Sequence, residues 1–227
     1  MPNTPNICEK ICECSIVNSN ARLIVITGGP GAGKTAVLEM AKKVLCSHVA
    51  ILPEAASVVF GGGFWRLSSP SARLAAQKAI YRVQVEMENL VIGERKWHVG
   101  LCDRGTIDGL AYWPNDESTF WQMTGAQIKE EYEKYFAVIH LRSPTDLQGY
   151  NHKNLLRIET AIQAVEIDEK IAKAWAGHPN YEVIASTENF LTKAQMALQL
   201  IIKNIPECCR KNLNLKNNNK FGENQTL

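Results

Sequence analysis

Eight consecutive residues near the start of the chain have the types and the spacing that can surround a chain of phosphates. They are Gly28, Gly29, Pro30, Gly31, Ala32, Gly33, Lys34 and Thr35. The glycines allow backbone N–H groups to approach phosphate oxygens, Lys34 supplies a positive charge, and the hydroxyl of Thr35 can bind Mg²⁺. The segment matches the P-loop pattern G-x-x-x-x-G-K-[ST] and predicts that the chain binds ATP or GTP with Mg²⁺.

The residues on either side of this loop supply the structural context that the motif needs. Residues 22–27 form a short apolar run, rich in β-branched side chains, that is typical of a buried parallel strand. Residues 36–45 place apolar side chains at helical spacing, and the dipole of such a helix favours an anion at its N-terminus. Strand, glycine loop and helix together favour a phosphate site over an ordinary turn.

A carboxylate and a guanidinium follow the third predicted strand, residues 97–102. We predict that Asp103 holds Mg²⁺ together with Thr35, directly or through water. We predict that Arg104 clamps a phosphoryl group through its planar set of N–H donors. The alternative is purely structural, with Asp103 capping a turn and Arg104 pairing with it.

A second carboxylate, Glu54, follows the second predicted strand, residues 48–53. Because ligands bind beyond the carboxyl ends of parallel strands, we expect Glu54 to face the same cleft as Asp103. Its carboxylate can accept the proton of a substrate hydroxyl or bind the substrate by hydrogen bonds. Its structural alternative is an N-cap-like position or a place in the first turn of a short helix. Asp108 is either a substrate-side group or part of an Asp-Gly turn.

Further polar and aromatic side chains follow the strands. The basic segment Arg142 to Arg157 is predicted to close over the phosphates as a lid, with Arg157 neutralising charge in the transition state. A solvated charged loop is the alternative for this segment. Phe64–Arg66 and the pair Gln84 and Glu88 could contact a substrate, and ordinary core packing explains them equally well.

Apolar strands that alternate with helices define the fold class. Strands are predicted at 22–27, 48–53, 97–102, 136–141 and 181–185, and helices at 36–45, 71–91, 126–135, 159–176 and 191–204. This alternation indicates an α/β, three-layer P-loop fold with a central parallel sheet of about five strands. We expect one domain over residues 21–207, preceded by an irregular arm (1–20) and followed by a flexible polar tail (208–227).

The overall composition is that of an ordinary globular protein, with 45% hydrophobic and 21% charged residues. A formal net charge of +2 gives no electrostatic footprint for nucleic acid. No stretch has the length needed to span a bilayer, and no secretory signal is visible, so we expect a cytoplasmic protein.

The cysteines fall into groups along the chain: Cys8, Cys12 and Cys14; Cys208 and Cys209; and the separate Cys46 and Cys102. Their odd number and the intracellular class favour reduced thiols that bind no metal. The alternative is a soft metal site or a redox site formed by the two terminal clusters.

With these residues in view, the chain resembles the NadR-type AAA domain family, small P-loop proteins that include a nicotinamide riboside kinase domain. The match runs from about Leu23 to Lys193. The residues that carry it are Gly28–Thr35, Pro53–Ala56, Asp103–Gly105, Asp108–Tyr112, Asn154, Arg157, Glu159, Ala164, Asp168, Ala174–Trp175, His178–Pro179, Phe190 and Lys193. The resemblance implies a kinase-like fold with five parallel strands and the second strand at an edge.

Two functional hypotheses follow. The first is a phosphotransferase that moves the γ-phosphoryl of a nucleoside triphosphate to the hydroxyl of an unknown, nucleoside-like small molecule, with Lys34, Arg104 and Arg157 neutralising charge. The second is a regulatory protein that switches with the bound nucleotide and hydrolyses it slowly. A translational-type GTPase is disfavoured because residues 151–154 do not match the guanine-reading Asn-Lys-x-Asp, and the chain is short for a hexameric AAA motor.

Overall fold

Five parallel strands form one sheet at the centre of the domain. They are β1 (Arg22–Thr27), β2 (Val49–Leu52), β3 (Val99–Asp103), β4 (Tyr135–Leu141) and β5 (Tyr181–Ile184). Their order is β2-β3-β1-β4-β5, so β2 lies at an edge. The computed structural model describes residues 21–144, 161–187, 189–207 and 209–210.

The helices within these described residues follow the strands in alternation. They are α1 (Lys34–Val44), α2 (Ala55–Gly61), α3 (Pro70–Glu94), a 3₁₀ helix (Thr106–Tyr112), α4 (Glu117–Thr124), α5 (Ile128–Glu133), α6 (Ala161–Trp175) and α7 (Phe190–Asn204). The fold class predicted from the sequence is thereby confirmed, including the edge position of the second strand.

Alternate residues of β1 divide the core into two halves. Ile24 and Ile26 pack with apolar side chains of α1 and α7 on one face of the sheet. Leu23 and Val25 pack with side chains of α3, the 3₁₀ helix and α6 on the other face. This alternation follows from the two-residue period of a strand, and it produces three layers of helix, sheet and helix.

The region between β3 and β4 differs from the prediction. The helix predicted at 126–135 is present as the shorter α5, and a separate helix, α4, precedes it and ends at Gly125, which has φ 72°. A left-handed residue ends a helix, and glycine adopts that conformation without steric cost. The sequence also gave no helix for residues 117–124, where Phe120 is buried against Tyr81 and Trp113.

Several predicted segments lie outside the described residues. These are the N-terminal arm (1–20), most of the predicted lid (145–160) and nearly all of the C-terminal tail, including Cys208. No helix in the described part of the chain combines the length and the apolar character needed to cross a membrane.

Candidate nucleotide site

The P-loop joins the end of β1 to the start of α1, as its flanking sequence predicts. Gly28, Gly31 and Gly33 have φ angles of 135°, 79° and 94°, which side chains strongly disfavour. A Cβ at Gly28 would collide with the carbonyl oxygen of Leu141 in β4. The glycines therefore meet two requirements at once: they let the loop turn, and they let it lie against the neighbouring strand.

The side chain of Lys34 folds back over its own loop. Its Nζ donates hydrogen bonds to the carbonyl oxygens of Gly28 at 3.0 Å and Gly29 at 3.2 Å. Burial and the nearby charge of Arg104 together lower the pKa of Lys34 to about 8, against the opposing pull of carboxylates such as Asp103. The ammonium is thus held where phosphates enter the loop, and it is poorly solvated there.

Thr35 and Asp103 meet at the carboxyl end of the sheet. The Thr35 hydroxyl donates a hydrogen bond of 3.3 Å to Oδ2 of Asp103, while the buried Oδ1 has no hydrogen-bond partner among the described residues. Burial raises the pKa of Asp103, although the charge of Lys34 opposes this. A hydroxyl and an unpartnered carboxylate oxygen are hard ligands of the kind that Mg²⁺ takes, so these residues fit the predicted ion.

Arg104 joins the P-loop to the end of β2. Its Nε donates to Oε1 of Glu54 at 2.8 Å, and its Nη1 donates to the carbonyl oxygen of Gly28 at 3.1 Å. The residue has φ 77°, an uncommon conformation for a bulky side chain and one that aims the guanidinium at these acceptors. Arg104 therefore pairs with Glu54, and not with Asp103 as the structural alternative had it.

Glu54 lies immediately before α2, at the position that the sequence offered as its structural alternative. Its Oε2 accepts a hydrogen bond of 2.7 Å from Ser57, and its Oε1 is held by Arg104. Burial acts to raise the pKa of Glu54, but the positive charges of Arg104 and Lys34 overcome this and bring it down to about 2. The carboxylate is therefore ionised across the physiological pH range.

Asp108 is a buried structural anchor of the site and does not lie in a simple turn. It belongs to the 3₁₀ helix, and the single proton of the Thr27 hydroxyl is shared between its two carboxylate oxygens, which lie 2.8 and 2.7 Å away. It also accepts a hydrogen bond of 2.6 Å from the indole of Trp175. Its Oδ2 lies 3.6 Å from Nη1 of Arg104. These contacts connect Arg104 to β1 and α6.

Gln84 and Glu88 of α3 lie in the core and do not line an open surface. The amide of Gln84 donates to Glu88 at 2.7 Å and to the carbonyl oxygen of Arg104 at 3.2 Å, and Glu88 accepts a bond of 2.8 Å from Tyr135. Burial raises the pKa of Glu88 to about 7, although its two hydrogen bonds act to lower it. Gln84 thus holds the backbone carbonyl of Arg104 from the side of α3, and Glu88 fixes the amide of Gln84.

Two residues that carry the family resemblance, but for which no role was predicted, contact the outer side of the P-loop. Asp168 of α6 accepts the N–H of Gly29 at 2.7 Å, and Lys193 of α7 donates to the carbonyl oxygen of Ala32 at 2.9 Å. Both charged residues occupy core positions of otherwise apolar helical faces. On α6 this face is Ala164, Asp168, Ile171 and Trp175, and on α7 it is Lys193, Ala197 and Ile201. In the sequence, each of these residues could have been noticed as a charged side chain at a position where the helical period places an apolar one.

The predicted lid is described only in part, whereas the aromatic segment Phe64–Arg66 is fully described. Arg157 and the centre of the predicted lid lie outside the described residues, whereas Arg142 is described and contacts Asp168 and Glu169. Phe64 and Trp65 are exposed, with 78% of Trp65 in solvent, so core packing does not explain them.

The parallel sheet, the P-loop and the Thr35–Asp103 pair define a nucleotide-binding P-loop protein with a kinase-like fold. A family model described as "AAA domain" matches residues 23–190, and the chain belongs to this family. Among solved structures, thymidylate kinase from Candida albicans superimposes with a TM-score of 0.53 at 13% identity, covering 81% of this chain and 92% of that one. This likeness concerns the fold. No curated protein matches the sequence significantly.

Proposed function

We propose that this protein is a phosphotransferase that moves the γ-phosphoryl group of ATP, or of GTP, to the hydroxyl of a nucleoside-like small molecule. The observation that carries the proposal is the Glu54–Arg104 pair. It places an ionised carboxylate directly beside the phosphate-binding loop, because Arg104 contacts Glu54 and Gly28 with the same guanidinium. An ionised carboxylate beside the phosphates can orient an acceptor hydroxyl for phosphoryl transfer.

The chemistry of phosphoryl transfer assigns Glu54 a specific role. The transition state is loose, so the acceptor oxygen needs accurate placement more than it needs a strong base. With a pKa of about 2, Glu54 is a weak base but a permanent hydrogen-bond acceptor. Glu54 therefore accepts a hydrogen bond from the acceptor hydroxyl, and this bond directs the hydroxyl oxygen at the phosphorus.

The positive groups complete the assignment. Lys34 and Arg104 stabilise charge on the phosphoryl group. Thr35 and Asp103 would hold Mg²⁺, which would neutralise charge on the phosphates. Arg157 keeps its predicted role as a further cation that stabilises the transition state.

The charge balance favours a hydroxyl acceptor over a phosphate acceptor. A phosphate monoester needs an unpaired cation, since it carries close to two negative charges at neutral pH. Arg104 is assigned to the transferred phosphoryl group and also faces two carboxylates, Glu54 at 2.8 Å and Asp108 at 3.6 Å, so it offers no unpaired charge to a phosphate on the acceptor. An additional phosphate on the acceptor would be repelled by Glu54.

The test compares Glu54→Gln with the wild type in an assay of ADP production. The acceptor panel contains nucleosides, nicotinamide riboside among them, and the matching nucleoside monophosphates. We expect the wild type to respond to a nucleoside and not to its monophosphate, and Glu54→Gln to lose turnover about 10²-fold or more while nucleotide affinity is kept. Glu39→Gln, an exposed carboxylate on α1, is the matched control.

The opposite results have clear meanings. Full turnover in Glu54→Gln would remove the assigned role of Glu54. Tight ATP binding with no acceptor that raises ADP production would favour the regulatory switch instead, and a response to monophosphates alone would reverse the assignment of the acceptor class.

A further inference from the structure

The outer side of the P-loop is held by three polar side chains from three separate parts of the fold. We propose that Asp168, supported by Lys193 and Ser143, is a positioning residue of the nucleotide site that fixes the P-loop in its phosphate-binding shape before nucleotide arrives. The proposal rests on the nucleotide binding within the proposed function and is independent of phosphoryl transfer. Preorganised donors bind better because they are not reordered when the ligand binds.

Asp168 uses both carboxylate oxygens in this arrangement. Oδ1 accepts the N–H of Gly29 at 2.7 Å and lies 2.9 Å from Nε2 of His140, and Oδ2 lies 3.0 Å from Nε of Arg142. A Cβ at Gly29 would come within 2.8 Å of the Cβ of Asp168 and within 2.5 Å of the Ser143 hydroxyl. The loop is therefore pressed against α6 at the residue whose N–H the carboxylate accepts.

A chain of buried hydrogen bonds in turn fixes the position of the Asp168 carboxylate. Nδ1 of His140 lies 2.6 Å from the hydroxyl of Tyr181, and burial raises the pKa of Tyr181, so this hydroxyl keeps its proton. Because a carboxylate only accepts, the Nε2–H of His140 donates to Asp168, and Tyr181 holds the imidazole ring from its other nitrogen. Burial alone would raise the pKa of Asp168, but the hydrogen bond and charge of His140, the N–H of Gly29 and the charge of Arg142 hold it below its usual value.

The remaining outward carbonyl groups of the loop are held from α7 and from the end of β4. Lys193 donates to the carbonyl oxygens of Ala32 at 2.9 Å and Arg142 at 2.5 Å, and Ser143 donates to that of Pro30 at 3.0 Å. Burial lowers the pKa of Lys193 to about 8, with the charge of Asp168 opposing this. Phosphate-facing N–H groups must point inward, so these contacts on the outward groups leave the inner face to the ligand.

A purely structural role does not explain the choice of charged residues. Charged side chains are costly to bury, and an apolar pair of similar size would pack the same helices at least as well. What charge adds here is direction, since each group is aimed at one backbone atom of the loop. The distribution of the contacts points the same way, because Asp168, Lys193 and Ser143 all contact residues 29–32.

The experiment compares Asp168→Ala and Asp168→Asn in the full chain without nucleotide and with Mg·ADP. Hydrogen exchange of the Gly29 amide, followed by NMR, measures the loop directly, and calorimetry measures the affinity for ADP. Asparagine keeps an oxygen that accepts the Gly29 N–H, whereas alanine keeps none. Asn204→Ala is the matched control, because Asn204 is a buried polar residue about 16 Å from Lys193 on the same helix.

We expect Asp168→Ala to speed exchange at Gly29 and to weaken ADP binding about tenfold or more, and Asp168→Asn to restore most of both. Asn204→Ala should lower the melting temperature and leave both readouts at the wild-type level. Unchanged exchange and ADP affinity in Asp168→Ala would overturn the proposal, as would an Asp168→Asn variant that behaves like alanine. A wild type that binds ADP but phosphorylates no acceptor would remove the proposed function and leave this inference standing.

Discussion

The P-loop and the segment between α2 and α3 are built in opposite ways. Buried polar side chains fix the P-loop from outside, and glycines let it lie against β4. The other segment, residues 62–69, follows Glu54 by way of α2 and leaves 78% of Trp65 and 57% of Leu67 in solvent. Phosphates are the same in every nucleotide, so a rigid loop serves them all. We propose that the exposed aromatic segment adapts to the acceptor of the proposed reaction.

The largest effect is expected at the rigid side. Lys34→Ala removes the buried ammonium, and we expect about a 10²–10³-fold loss of phosphoryl-transfer rate together with weaker nucleotide binding. Calorimetry with Mg·ATP and a transfer assay measure the two effects. Lys42→Ala, an exposed lysine of the same helix, should change neither. Full nucleotide affinity in Lys34→Ala would contradict the assignment of the loop as the phosphate site.

The pH dependence of nucleotide affinity tests the role of the Lys34 ammonium. Lys34 has a pKa of about 8 in the free protein, and phosphates raise it because they favour the charged form. Affinity should therefore be constant below about pH 7.5 and fall by up to about tenfold per pH unit above pH 8. Binding in this upper range should take up a proton, which calorimetry in buffers of different ionisation enthalpy detects. A flat affinity up to pH 10 would contradict the account.

The third effect concerns the polar core beneath Arg104. The folded pKa of Glu88 is about 7, above its usual value, so the folded state binds extra protons and its free energy of unfolding falls as pH rises from about 4.5 to 7. Glu88→Gln removes the buried charge and keeps an oxygen for Gln84 and Tyr135. We expect the free energy of unfolding of this variant to exceed that of the wild type by about 2–3 kcal/mol at pH 8 and to match it near pH 5. Urea unfolding at both pH values measures the difference, and identical curves at pH 8 would exclude the raised pKa.

The smallest effect on stability is expected at the exposed segment. Trp65→Ala should change the free energy of unfolding by no more than about 0.5 kcal/mol and leave ADP affinity unchanged, while it raises the KM for the acceptor. Met196→Ala, which truncates an exposed apolar side chain on α7, is the control. Loss of ADP affinity in Trp65→Ala would break the division between a rigid donor side and an adaptable acceptor side.

The sequence was sufficient for the features that depend on local pattern. The P-loop was predicted because its chemistry is contained in eight consecutive residues, and the five strands because apolar runs alternate with amphipathic helices. Glu54 and Asp103 were placed in one cleft because parallel strands end on the same side. Such inferences need only the spacing along the chain and the rules of parallel sheets.

The sequence was insufficient where distant residues decide the geometry. Asp168 contacts Gly29 across 139 positions, and no local pattern fixes that pairing. The left-handed Arg104 is held by tertiary contacts with Glu54 and Gly28, which override the usual preference of a bulky residue. The short helix α4 was not predicted, because a brief segment has too few turns to define a helical period.

Phosphoryl transfer itself is tested most directly by ³¹P NMR of the wild-type protein with Mg·ATP and a mixture of nucleosides. We expect the γ-phosphate signal to decline while ADP and a new phosphomonoester signal grow in equal amounts, and we expect Glu54→Gln to suppress this transfer. Unchanged ATP, or ADP accompanied by inorganic phosphate alone, would contradict the proposed transfer to a hydroxyl.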